Sequence, residues 1–200
     1  MEKTKKHTWL WCVVLGAVLL VAVLWCGVWY AADPDRLDYS GNENPYEQLR
    51  VPELMSIVSV SDMKTVLAAS DEVVLARATE STRRQTKGLT TEEQTEMEVV
   101  QSFGGSLQAG DVFTFEVADG FVGSFPSMQP GDTYLLMLRH SNTDDGCAST
   151  AFYYSFFYVT EENTVYPSYL GEAFQKYNGM PVEEFARVIH KHWKGYATAF

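Results

Sequence analysis

The order of apolar and polar residues divides the chain near residue 32. Trp9 to Tyr30 is a run of 22 residues without a charge, and as a helix it would span about 33 Å, enough for the hydrocarbon of a bilayer. A buried core helix would be shorter and apolar on one side only. Lys3, Lys5 and Lys6 precede the run, and Asp33, Asp35 and Asp38 follow it. By the positive-inside rule, residues 1–8 are then a cytoplasmic tail, residues 9–30 a transmembrane helix, and everything beyond lies outside the cell membrane. Trp9, Trp11, Trp25, Trp29 and Tyr30 stand near the two ends of the span, where amphipathic rings favour the headgroup level. A cleaved signal peptide fits less well, because its apolar region is shorter and bulky residues here occupy positions where cleavage needs small ones. Trp25 directly before Cys26 likewise argues against a lipid-modified cysteine.

Beyond the span the pattern changes twice. Residues 31–60, with Asp33-Pro34, Ser40-Gly41-Asn42 and Asn44-Pro45, read as a polar extracytoplasmic tether. Ser61-Asp62 then caps a short helix to about Ala69, with Met63, Val66 and Leu67 on its apolar side. From Glu72 onward the period is that of strands. Met97, Val99 and Phe103 alternate inward against Glu96 and Glu98, and Phe113, Phe115 and Val117 against Thr114 and Glu116, as in half-buried antiparallel strands. The stretches 133–139 and 151–160 are apolar or aromatic on both faces, as happens where a sheet curls into a barrel or lies under a helix. Gly110-Asp111, Asp119-Gly120, Pro130-Gly131 and Asp144-Asp145-Gly146 mark turns. A final amphipathic helix opens at Pro181, carries Glu183 and Glu184 in its first turn and Lys191 and Lys194 near its end, and can close at Gly195. Its stripe is Val182, Phe185, Ala186, Ile189 and Trp193. The β domain thus runs from 61 to 195, with 196–200 as a tail.

Composition narrows the function classes. With 46% apolar and 20% charged residues the chain can bury a core. The formal charge is −11, and the leader contributes +2 of opposite sign, leaving −13 for the remainder. Nucleic acid is therefore excluded as a natural partner, and anionic headgroups repel the outer domain, so membrane contact falls to residues 9–30. Cys12 and Cys26 lie in the span and Cys147 stands alone outside it, so the domain carries no internal disulfide.

Three blocks carry a resemblance: Ala68 to Thr79, Leu107 to Phe113 and Gln129 to Leu138. In these the chain resembles bacterial secreted domains with the OB-type barrel of tissue inhibitors of metalloproteinases, over about residues 61–193. The resemblance implies a mostly β fold: an antiparallel OB-like β-barrel with a short N-terminal and a C-terminal amphipathic helix, preceded here by the transmembrane helix. The cysteine framework and free N-terminal cysteine of the animal inhibitors are missing, so no functional residue is carried over.

Chemical motifs are few. Ser127-Met128-Gln129-Pro130 is similar to the serine block of type I signal peptidases, but Ser127 lies far from the span and the lysine block of that family is absent. A sortase would share the topology and a lone outer cysteine, yet Cys147 follows Asp144-Asp145-Gly146 rather than a Thr-Leu-x-Thr strand, and no arginine follows it before Arg187. His190 and His192 face opposite ways on a helix and cannot share a metal, and His140 near Asp144 and Asp145 reads as a solvated hairpin. The aromatic run 152–158 offers stacking surface, with Tyr153, Tyr154, Phe157 and Tyr158 as candidate ligand-binding residues. The expectation is a membrane-tethered binding or interaction module of a Gram-positive type of envelope. It has no catalytic site, metal or cofactor, and its partner is a protein or glycan of the envelope. The alternative is an envelope serine or cysteine hydrolase or transpeptidase using Ser127 or Cys147.

Overall fold

The computed structural model describes residues 14–25, 27–28, 32–46, 62–87, 90–117, 128–140, 146–149, 155–168 and 171–193. The chain separates into two units, residues 1–37 and 38–200. In the first, helix α1 covers 14–25, and apolar side chains all round it, among them Leu15, Val18, Leu19, Val21, Val23 and Leu24, are exposed. Residues 9–13, 26 and 29–30 of the expected span lie outside the described residues, and no helix among those described is long and apolar enough to cross a membrane. A 3-10 turn, Pro34–Arg36, follows, capped by the Asp33 carboxylate.

The second unit is mostly β. Its strands are β1 (Glu72–Ala78), β2 (Arg83–Lys87), β3 (Thr90–Gly104), β4 (Val112–Val117), β5 (Thr133–His140), β6 (Gly146–Ser149), β7 (Phe156–Val159), β8 (Thr164–Pro167) and β9 (Met180–Pro181). Three short helices accompany them: α2 (Met63–Ala68), α3 (Glu172–Gln175) and α4 (Val182–His192). β1 pairs with β3 along one edge and β5 along the other, while β3 continues to β4, β4 to β6, and β6 to β5. Five strands paired in this way cannot alternate in direction throughout. The parallel pair is β4–β6, where the expectation was antiparallel neighbours only. β7 shares the β6 edge of β5 and starts a branch through β8 to β9.

Strand parity explains the burial. Val74, Ala76 and Ala78 of β1, Leu136 and Leu138 of β5, and Phe156 of β7 join Met97, Val99, Phe113 and Phe115 in one apolar cluster. The odd-numbered apolar neighbours Val73, Leu75, Leu135, Met137, Phe157 and Val159 point the other way and are buried too, because that face is covered over this stretch, whereas Arg77 and Arg139 reach solvent. Phe157 meets Phe185 of α4 with ring centroids 4.9 Å apart, and Tyr177 meets the same ring at 5.2 Å. Register shifts in the β1–β3 pairing leave Val100 exposed, and bulges of this kind bend a long strand.

The helices largely follow their sequence signals. Asp62 caps α2 by accepting from the Thr65 backbone N–H at 2.8 Å, and Met63, Val66 and Leu67 are buried. In α4 the buried stripe is Val182, Phe185, Val188 and Ile189, with Val188 in place of the half-buried Ala186. Pro181 stands at the N-cap with extended backbone instead of in the first turn, because it also pairs with Thr164 of β8. Gly195 lies outside the described residues.

The expected tether needs correction at its start. Residues 38–46 belong to the β domain, not to a solvated spacer. The Tyr39 N–H donates to the Lys176 carbonyl at 2.9 Å and its hydroxyl to Glu184 at 2.5 Å. Asn178 donates to the Asn42 carbonyl, and Asn44 donates to that of Pro167 at 3.3 Å. Of the polar residues that suggested solvation, Asn44 instead satisfies a backbone carbonyl of the domain, and Asn42 has its own carbonyl satisfied by the domain's Asn178.

Candidate functional site

The register of three strands builds a row of tyrosines. Tyr134 of β5 lies opposite Tyr158 of β7, and Tyr158 opposite Tyr166 of β8, so the three rings share one face of the sheet. Tyr46, carried in by the N-terminal strap, stacks on Tyr158 with centroids 4.2 Å apart and planes 5° from parallel. Its position is set locally, because the Asn44 side chain accepts from the Tyr46 N–H at 2.8 Å while holding Pro167.

Two turns supply charge beside these rings. At the Pro130-Gly131 turn, Gly131 takes φ +95°, a conformation glycine adopts without steric cost. The turn places Asp132 so that its carboxylate accepts from the Gln129 N–H at 3.0 Å and from the Tyr134 hydroxyl at 2.9 Å. The β7–β8 hairpin closes through the Thr160 N–H to the Thr164 carbonyl at 3.1 Å, and it leaves Glu161 and Glu162 exposed. Between the turns opens a cleft of about 630 Å³, lined by Tyr46, Tyr134, Tyr158, Asp132, Glu161 and Glu162, with Gly131, Thr133, Val159 and Thr160 completing the wall.

Electrostatics keep the phenols protonated. Burial first, then the neighbouring Asp132, pushes the Tyr134 hydroxyl well above the ordinary tyrosine range. Burial also raises Tyr158, with Tyr46 and Asp132 adding to it, and Tyr46 moves the same way. Tyr158 is 5% exposed, and its hydroxyl is fully buried with no hydrogen-bond partner among the described residues. The Thr160 hydroxyl is in the same condition. A neutral phenol can donate and accept, so the cleft holds hydrogen-bonding capacity that the fold leaves unused.

The candidate residues read from the sequence fare differently. Tyr158 lines the cleft, whereas Phe157, its neighbour of opposite parity, is wholly buried against α4 and offers no surface to a ligand. Tyr153 and Tyr154 lie outside the described residues, as do Ser127, Asp144 and Asp145. Cys147 sits in β6, paired in register with His140, whose Nε2 lies 3.0 Å from Glu72. No group of three or more potential metal ligands occurs among the described residues. Sequence reasoning missed Tyr46, Tyr134, Asp132, Glu161 and Glu162. A usable signal was present: Tyr134, Tyr158 and Tyr166 put hydroxyls where an apolar inner face calls for phenylalanine. No protein-family model matches the sequence, and no curated protein is significantly similar to it.

Proposed function

We propose that the chain is a membrane-tethered binding module, with an OB-like β-barrel outside the cell membrane that holds a component of the envelope in its tyrosine cleft. The observation that carries the reading is the buried, unpartnered hydroxyl of Tyr158 in the wall of a cleft large enough for a small ligand or a side chain. Pairings that lead from β1 through β3, β4, β6 and β5 back to β1, with one parallel pair, support the OB-like barrel. The membrane tether rests on the uncharged run 9–30, its lysine and aspartate flanks, and apolar side chains exposed on every side of α1.

A photo-crosslinking residue at Glu162 of the full-length chain in its own membrane tests the reading. Capture of a defined envelope component, absent when the same residue replaces Val100, is the expected result. Equal capture from both positions would overturn it. Protease added outside intact cells should remove the β domain.

One observation favours a second reading, a cysteine hydrolase or transpeptidase. The backbone of Cys147 pairs in register with His140, whose Nε2 lies 3.0 Å from Glu72, and these are the residue types that a thiol enzyme uses as nucleophile, base and orienting carboxylate. Against it, the Glu72 carboxylate already binds the Ser106 and Leu107 N–H groups. Rapid thiol alkylation, lost in Cys147→Ala and slowed in His140→Gln, would favour the enzyme.

A further inference from the structure

We infer that the cleft recognises a primary ammonium group, presented by a lysine of a peptide segment or by a small free amine. The inference rests on the cleft being the binding site and names what it binds. Three carboxylates, Asp132, Glu161 and Glu162, stand among the lining residues, and no lysine, arginine or histidine does. The domain around them is itself strongly acidic, and such a field concentrates cations at a cleft.

Charge alone would be met by solvent ions, so the second observation decides. Tyr158 and Thr160 line the same cleft, and their hydroxyls are buried without a hydrogen-bond partner among the described residues. An ammonium carries three donors and no acceptor, the complement of hydroxyl and carboxylate oxygens. A quaternary ammonium would leave those oxygens unsatisfied, and an anion would meet the carboxylates. A metal ion wants several carboxylate or imidazole ligands gathered together, and the described residues contain no such group. The half-buried ring of Tyr46, held by its stack on Tyr158, supplies what a hydrated ion could not use: surface for the methylene stem and for cation–π attraction. The three phenols of the wall, held above their ordinary range chiefly by burial, stay neutral and add no competing charge.

The test is calorimetry on the full-length chain in nanodiscs of zwitterionic lipid, titrated with an end-blocked lysine tripeptide, with diaminobutane, and with the same tripeptide acetylated on its side chains. Both cations should bind and the acetylated peptide should not. Binding of the peptide alone assigns the ammonium to a protein partner, and binding of the diamine alone to a free amine. Replacing both Glu161 and Glu162 with glutamine should weaken binding about tenfold, since exposed carboxylates each contribute modestly. Tyr158→Phe should weaken it by roughly tenfold or more through loss of a hydrogen bond to a charge, with no fall in thermal midpoint. Equal binding of the acetylated peptide overturns the inference. So does silence toward both cations in a chain that still crosslinks from Glu162, an outcome that leaves the binding module standing. Loss of the crosslink as well would remove both.

Discussion

Glu72 and Tyr158 lie in the same domain at 0% and 5% exposure, and each takes a polar oxygen away from water. Around Glu72 the oxygens are fully used. One accepts from the Ser106 N–H at 2.8 Å and its hydroxyl at 2.5 Å and lies 3.0 Å from His140 Nε2, while the other accepts from the Leu107 N–H at 3.1 Å. Gly105 makes this possible, since with φ +109° it brings the loop so close that a Cβ there would overlap the carboxylate. At Tyr158 the ring stacks on Tyr46 and the hydroxyl has no hydrogen-bond partner among the described residues. A buried charge has to be saturated for the fold to survive, whereas an unpaired phenol costs little enough to be kept. The first arrangement is structural, and the second leaves capacity for a ligand.

The comparison breaks most visibly at its saturated end. Glu72→Ala strands the Ser106 and Leu107 N–H groups, and the expected loss is about 3 kcal/mol of unfolding free energy in denaturant titrations. Little of that comes from His140, whose side chain is half exposed and whose ion pair is screened accordingly. A loss below about 1 kcal/mol would mean that the loop finds other acceptors and that Glu72 is not an anchor.

A partnered carboxylate at the surface sharpens the contrast. Asp62 accepts from both the N–H and the hydroxyl of Thr65 at 2.8 Å, and the backbone bond chiefly holds its pKa below the ordinary 3.8. Because the folded pKa is the lower one, its contribution is complete above the unfolded value and disappears as pH falls through the folded value. Asp62→Ala should cost about 1 kcal/mol at neutral pH through loss of the helix cap. The gap from wild type should hold down to about pH 4 and then narrow. A gap that persists in strong acid would assign the effect to packing.

How much of this was legible in the sequence follows the same division between backbone and side-chain chemistry. Alternation located β4 and the inner face of β3 down to Met97, Val99 and Phe103, and the cap at Asp62 located α2, because both signals act within a few residues. What escaped depends on partners far apart in the chain. Tyr46 meets Tyr158 from 112 positions away, and its neighbours Asn42 and Asn44 read as solvated until their partners Asn178 and Pro167 are known. Glu72 begins a strand of apolar residues and shows no sign of burial until Ser106 and His140 reach it. The aromatic run is legible as a ligand surface, and alternation puts half of it in the core, but the sequence alone does not say that a helix covers the other face, where Phe157 packs on Phe185 with its back to Tyr158.

The smallest expected effect separates the two tyrosines of the cleft that face each other across β5 and β7. The Tyr134 hydroxyl donates to Asp132 at 2.9 Å, so Tyr134→Phe removes a bond to a charged acceptor and should lower stability by about 1 kcal/mol. Tyr158→Phe keeps the stack on Tyr46 and the edge contact with Phe156 at 5.2 Å, and it removes an oxygen that is buried without reward. Its expected change is a gain of up to about 0.5 kcal/mol, read as a small rise in thermal midpoint without ligand. If Tyr158→Phe instead loses as much as Tyr134→Phe, the hydroxyl has a partner inside the folded chain. The two tyrosines would then be equivalent, and the cleft would be as saturated as the pocket around Glu72.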